Sequence, residues 1–211
     1  MYCSLHPYDG ELLEIEYNII SRQAEQEIGW AQFLKARHIA EHKREWEERL
    51  QDYYLPEAAF QEMLGWLQRA ARNGVALAQY WLARLYGDKD NPYGIYDVQE
   101  AFRWLCAAEE LPEAQYALAH CYTSGQCADP DPERALRLLE RAAAANYKDA
   151  ILTLADYYSR GLYVEQDMKK AQELKERVYG DIWRLMKQQR GLRQIENQQQ
   201  DENDELQHKD M

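Results

Sequence analysis

Two histidines stand four residues apart in His38-Ile39-Ala40-Glu41-His42, the H-x-x-E-H spacing of some zinc-dependent hydrolases. On a helix such a pair shares one face, so both imidazoles could hold a metal while Glu41 serves as the base. Against this, Lys43 and Arg44 follow at once and no third ligand is evident. The competing reading is two solvated histidines on a polar helix face. His120-Cys121 with Cys127 is a weaker cluster, and Cys121 reads better as a small apolar group inside a core. The chain has neither a glycine-rich phosphate loop nor a serine elbow. The expectation is therefore no catalytic residue, no metal and no cofactor.

Arginine is the more suggestive residue. Arg69 and Arg72, then Arg103, then Arg137 and Arg141 recur through the middle of the chain. The planar guanidinium fork grips carboxylates through two parallel hydrogen bonds. The plainer alternative is a set of solvated residues paired with Glu62, Glu100 and Glu140. Aromatic residues divide in the same way. Trp66, Trp81, Trp104 and Tyr116 are expected in the core. Tyr93, Tyr96 and Tyr163 fall in loops, and Tyr93 and Tyr96 in particular are expected to anchor a partner.

The elements that must position these side chains come in a repeat. Ala78-Gln79 and Leu82-Ala83 lead to Tyr86; Ala114-Gln115 and Leu118-Ala119 lead to Tyr122; Ala150-Ile151 and Leu154-Ala155 lead to Tyr158. The spacing is 36 residues each time, the mark of a solenoid. Each unit reads as two helices. Phe60, Met63, Leu64, Leu67 and Ala71 recur at helical steps, and Gly74 is placed to end that helix in the left-handed conformation. Asn146 stands at the matching position of the last unit. In the middle unit Leu111-Pro112 makes a turn tighter by two residues, and the longer loop before it restores the period. One helix pair cannot bury its own apolar face, so neighbours must stack.

The pattern Trp66-Leu67, Ala70-Ala71, Gly74, Ala78, Leu82-Ala83, Tyr86 resembles the Sel1-like repeat, a relative of the tetratricopeptide repeat. It recurs as Trp104-Leu105, Ala107-Ala108, Ala114, Leu118-Ala119, Tyr122, Gly125 and as Leu138-Leu139, Ala142-Ala143, Ala150, Leu154-Ala155, Tyr158, Gly161, Asp167. The first copy departs in its loop, where Gly94 comes late. The resemblance implies an all-α, right-handed α-solenoid that binds protein. It also implies that the first helix of each pair, which carries the arginines, lines the concave side. Some secreted relatives staple each helix pair with a disulfide, which leaves a Cys106–Cys121 bridge as a minor option beside free thiols.

The expected organisation is a helical cap at 1–56, three repeats at 57–170, a capping helix at 171–190 and a polar acidic tail at 191–211. In the cap, residues 11–54 read as one long helix or two, and Ala31-Gln32-Phe33 echoes Ala78-Gln79-Tyr80. The formal net charge is -12. Residues 1–56 carry 11 acidic and 6 basic residues, 57–190 carry 20 and 17, and 191–211 carry 6 and 2. Most of the negative charge thus lies outside the repeats, and nucleic acid is disfavoured as a partner. No apolar run is long enough for a membrane span, and Met1 to Asp9 lack the pattern of a signal peptide, so a cytoplasmic protein is expected. The expected function is non-catalytic protein binding. The resemblance suggests a bacterial immunity-type protein that neutralises a toxin, with a general adaptor as the alternative and a zinc hydrolase using His38, Glu41 and His42 as a remote third.

Overall fold

The computed structural model describes residues 10–47 and 55–180, with side chains at 17–41 and 55–180. All regular structure among these residues is helical. The chain divides into two compact units, 1–145 and 146–211. The first holds α1 (Gly10–Glu25), α2 (Gly29–Glu47), α3 (Glu57–Arg72), α4 (Ala76–Gly87), α5 (Val98–Ala107), α6 (Pro112–Ser124) and α7 (Pro132–Ala144). The second holds α8 (Lys148–Arg160) and a further helical stretch at 168–180. Within the first unit each helix packs on the next in sequence. The fold is an all-α array of helix pairs.

The alanines and leucines of the repeat form the core. Leu67, Ala70, Ala78, Leu82, Ala108, Ala114 and Leu118 are all fully buried. Alanine at the crossings lets helix backbones come close, and leucine fills the space that remains. Trp66, Trp81 and Trp104 are half-buried against this core. Truncating Leu67, Leu82 or Leu118 to alanine would cost about 2–5 kcal/mol.

Two hydrogen-bonding devices recur and set the geometry. Within a pair, a glutamine on the second helix donates back to a carbonyl at the end of the first. Gln79 Nε2 reaches Ala71 O at 3.0 Å, eight residues back. In the tight middle turn Gln115 Nε2 reaches Glu109 O at 2.8 Å, only six back. Between pairs, the repeat tyrosine's carbonyl accepts from the backbone N–H of the aspartate that opens the next helix. The distances are 2.8 Å for Asp97 to Tyr86, 3.0 Å for Asp131 to Tyr122 and 2.9 Å for Asp167 to Tyr158. Each aspartate's side chain then accepts from the first turn it caps: Gln99 and Glu100, Arg134, and Lys170.

The glutamine device is also present in the N-terminal pair. Gln32 Nε2 donates to Ala24 O at 3.2 Å, again eight residues back. Glu27, with φ 62°, stands where Gly74, with φ 78°, stands in the next pair, since each precedes its glutamine by five residues. Residues 11–54 are therefore two helices across their described part, broken at Gln26 to Ile28 by a left-handed glutamate. Gly29 follows because the α3–α4 turn lies against it. A Cβ there would come within 2.9 Å of Val75 Cγ2. Asn146 takes the left-handed conformation expected of it, with φ 63°, and its side chain accepts from Arg177. Residues 1–9 and 48–54 of the expected cap, 181–190 of the expected closing helix and the tail 191–211 lie outside the described residues.

Candidate functional site

The feature that gathers charged groups is a groove of about 410 Å³ along α7, lined by Glu109, Asp131, Arg134, Arg137, Leu138 and Arg141. Local sequence explains its composition. Asp131 caps α7 and Pro132 occupies the first turn, where its missing N–H costs nothing. The helix then buries Ala135, Leu138, Leu139, Ala142 and Ala143. Arg134, Arg137 and Arg141, at steps of three and four, share one stripe beside that apolar face. The opposite wall is Glu109, at the turn after α5, whose carbonyl is held by Gln115.

Three guanidinium groups meet two carboxylates here. Arg141 donates to Glu109 across the groove. Arg137 is paired loosely with Glu133 at 3.8 Å. Arg134 lies over the Tyr122 ring, 4.7 Å from its centroid. Burial pushes the Tyr122 phenol up, the Arg134 guanidinium opposes this, and Cys106, Glu109 and Asp131 reinforce it. The Cys106 thiol is likewise raised by burial, with Arg134 opposing and Glu109 adding. Arg137 and Arg141 keep 63% and 53% of their side-chain surface, so their forks remain open to a ligand. Arg134, Glu109 and Asp131 are groove residues that sequence reading missed. A signal for the first exists: the repeat places Glu100 at the position Arg134 occupies, and a cation three residues past a helix cap opposes the macrodipole.

Of the arginines expected at a binding face, the structure brings Arg137 and Arg141 together. Arg69 is elsewhere, over the Trp66 ring at 4.7 Å, with Lys35 Nζ 4.1 Å from the same ring. Arg72 is exposed on the last turn of α3. Arg103 pairs with Glu100 at 3.4 Å. Tyr93, expected as an exposed anchor, is turned inward: its ring stacks on Phe60 at 3.5 Å and its hydroxyl donates to Leu55 O at 2.6 Å. It closes its loop over α3 rather than facing a partner. Tyr96 is 52% exposed.

The histidine motif is divided. His38 is half-buried and stacks on Tyr17 at 4.2 Å, while Glu41 pairs with Arg37 at 3.6 Å. The His42 side chain lies outside the described ones. Among the described residues, no group of three or more His, Cys, Asp or Glu is placed to hold a metal. None of the described helices is long and apolar enough to cross a membrane.

The Sel1 repeat model matches residues 64–75, 76–111, 112–147 and 148–174, more than half of the sequence. The chain belongs to the Sel1 repeat family. The matched 36-residue units begin at α4 and α6, half a unit out of phase with the hairpins chosen from sequence. Members of this family are generally protein-interaction scaffolds. Similar solved structures include a Sel1 repeat protein from Oxalobacter formigenes, with 22% identity and a TM-score of 0.64 over 79% of this chain and 64% of that one. Another is c5321, a protective antigen of uropathogenic Escherichia coli with an SLR fold, at 23% identity and a TM-score of 0.61 over 77% of this chain and 32% of that one. A sel1 repeat protein from Klebsiella pneumoniae matches at 24% identity and a TM-score of 0.50, over 78% of this chain and 73% of that one. These likenesses show the fold alone, and the chain spans about a third of the antigen's length. No curated protein matches the sequence.

Proposed function

We propose that this chain is a non-catalytic binding module whose α7 groove takes acidic side chains of a protein partner. The observation that carries the reading is the convergence of Arg134, Arg137 and Arg141 on one groove lined by two carboxylates, Glu109 and Asp131, with Arg137 also loosely paired with Glu133. An incoming carboxylate displaces Glu109 from Arg141 and gains Arg137 beside it, both as charge-assisted hydrogen bonds. Leu138 gives the partner's apolar atoms a floor. The helices that frame the groove are preformed, so little ordering cost opposes binding. Tyr96 and Arg72 remain available to extend the contact, while Arg103 is paired with Glu100 outside the groove.

The test is titration of a labelled Glu- and Asp-rich peptide, followed by anisotropy at low and physiological salt. Binding that weakens about 10-fold or more when Arg137 and Arg141 are both changed to alanine supports the groove. Equal affinity in wild type and variant overturns it.

The narrower proposal is that the partner is a toxin, neutralised by occupation of the groove in the cytoplasm. Co-expression separates this from an adaptor role. Rescue of a toxic neighbouring gene product with a one-to-one complex supports neutralisation; several weak partners and no rescue support the adaptor.

A further inference from the structure

Three places after the repeat glutamine stands a core leucine: Leu82 in α4 and Leu118 in α6, both fully buried. In α2 the residue three places after Gln32 is Lys35. Lys35 is 8% exposed, so its stem fills the space that leucine fills in the other pairs. A lysine this deeply buried is ordinarily paired with an acid. Here its ammonium lies 4.1 Å from the centroid of the Trp66 ring on α3, and the Arg69 guanidinium lies 4.7 Å from the same centroid. Among the described residues, no ion pair or hydrogen bond joins either cation to a carboxylate. The sealed side-chain atoms without a hydrogen-bond partner among those residues are Ser21 Oγ and Gln115 Oε1. The Lys35 ammonium is not one of them, so its tip meets solvent. Gly65 and Trp66 stand four and three residues before Arg69, so the three share one helix face. Gly65 is in the interior of α3, where glycine is less favourable than any residue but proline. No crowding accounts for it, because a Cβ there would meet nothing within 4 Å. Trp66 is half-buried and Arg69 exposed, so the face is open where Gly65 leaves room.

We propose that Lys35, Trp66 and Arg69 form a second anion site, which takes a carboxylate from an acidic side chain of a partner protein, admitted over Gly65. The Trp66 ring attracts both cations but leaves their charges uncompensated, and the two repel each other. A carboxylate set between them accepts from the Lys35 ammonium with one oxygen and from the Arg69 guanidinium with the other. The repeat relates this site to the α7 groove. Arg137, Leu138 and Arg141 stand 72 residues, or two periods, after Gly65, Trp66 and Arg69. The same face of a first helix therefore bears both sites. In α7 the cations come from that helix alone, whereas on α3 one is supplied by the preceding helix through a core position. The two sites share no residue, and this one stands whether or not the groove binds.

The test uses the full chain with Arg137 and Arg141 both changed to alanine, which silences the groove. A labelled Glu- and Asp-rich peptide is titrated at low salt and followed by anisotropy, with Tm read on each sample. Residual binding is expected. Lys35→Leu, which restores the leucine of the other repeats, should weaken it about 5-fold or more without lowering Tm. Gly65→Gln should raise Tm, since glutamine is the better helix former, and weaken binding by closing the entry. Unchanged affinity in both variants overturns the inference, as does a lower Tm in Lys35→Leu with affinity unchanged, which would make Lys35 a packing residue. Full displacement of the peptide by millimolar free glutamate overturns the assignment to a protein partner. No binding at all in the groove-silenced chain overturns this site and leaves the groove standing. Affinity equal to wild type in that chain removes the groove and leaves this site to the two variants.

Discussion

Helices α5 and α7 begin in the same way and end up with opposite charge at one position. Asp97 and Asp131 both take their N–H to a repeat tyrosine's carbonyl, and both side chains accept from the residue three places on. That residue is Glu100 in α5 and Arg134 in α7. In α5 the acid suits the positive end of the helix and pairs with Arg103. In α7 the base opposes the helix field and turns to the Tyr122 ring instead. On the proposed reading, this is where stability and binding part company in the array. A repeat position where an acid would favour the helix carries a base in α7, and that base lines the groove proposed to take an anion.

The largest effect expected from breaking this comparison is on binding. Changing both Arg134 and Arg137 to Glu should reduce acidic-peptide affinity by about 30-fold or more, with a cooperative melt retained. The same reversal at Arg103, outside the groove, should change affinity less than about 3-fold.

The caps give a sharper contrast at lower amplitude. Asp131→Ala and Asp97→Ala should each cost about 1 kcal/mol in denaturant unfolding. Only Asp131→Ala should also tighten peptide binding, because it removes a carboxylate that competes with the ligand for the groove arginines. An equal change in binding from the two variants, or a loss from Asp131→Ala, would erase the distinction between the helices.

A pH effect follows from the buried thiol of α6. Burial raises the Cys121 thiol above its ordinary value of 9.0, with Cys127 adding to the rise. Below that pH both folded and unfolded thiols are protonated and stability is level. Above it the unfolded chain releases its proton first, so stability falls as pH rises. Melting between pH 7 and pH 10 should show that decline in wild type, with a shallower slope in Cys121→Ala.

The smallest effect concerns the N-terminal pair. Glu27→Gly should stabilise by about 0.5–1 kcal/mol, since glycine adopts the left-handed conformation freely. Gly74→Ala should destabilise by a similar amount, with no steric clash to add, because nothing lies within 4 Å of the new Cβ.

These pairs also mark what the sequence made legible. The tyrosine period, the left-handed Gly74 and Asn146, and the two-residue tightening before Ala114 all depend on neighbours close in the chain. Gln115 reaching six residues back, where Gln79 reaches eight, is the structural form of that tightening. The unread features depend on distant partners. Tyr93 looks like an exposed loop tyrosine until Leu55, 38 residues earlier, supplies its acceptor. Glu109 and Arg141 are 32 residues apart and meet only when α5 and α7 are in place. Glu27 is not a residue expected at a left-handed break, and only the repeated glutamine bond reveals the hairpin there.

The most direct test of the account is the single variant Arg134→Glu, with unfolding and peptide titration read on the same sample. The account predicts opposite signs: stability up by about 0.3–1 kcal/mol from the helix field, and acidic-peptide affinity down by about 5-fold or more. Unchanged affinity, or a loss of stability alongside the loss of binding, would contradict it.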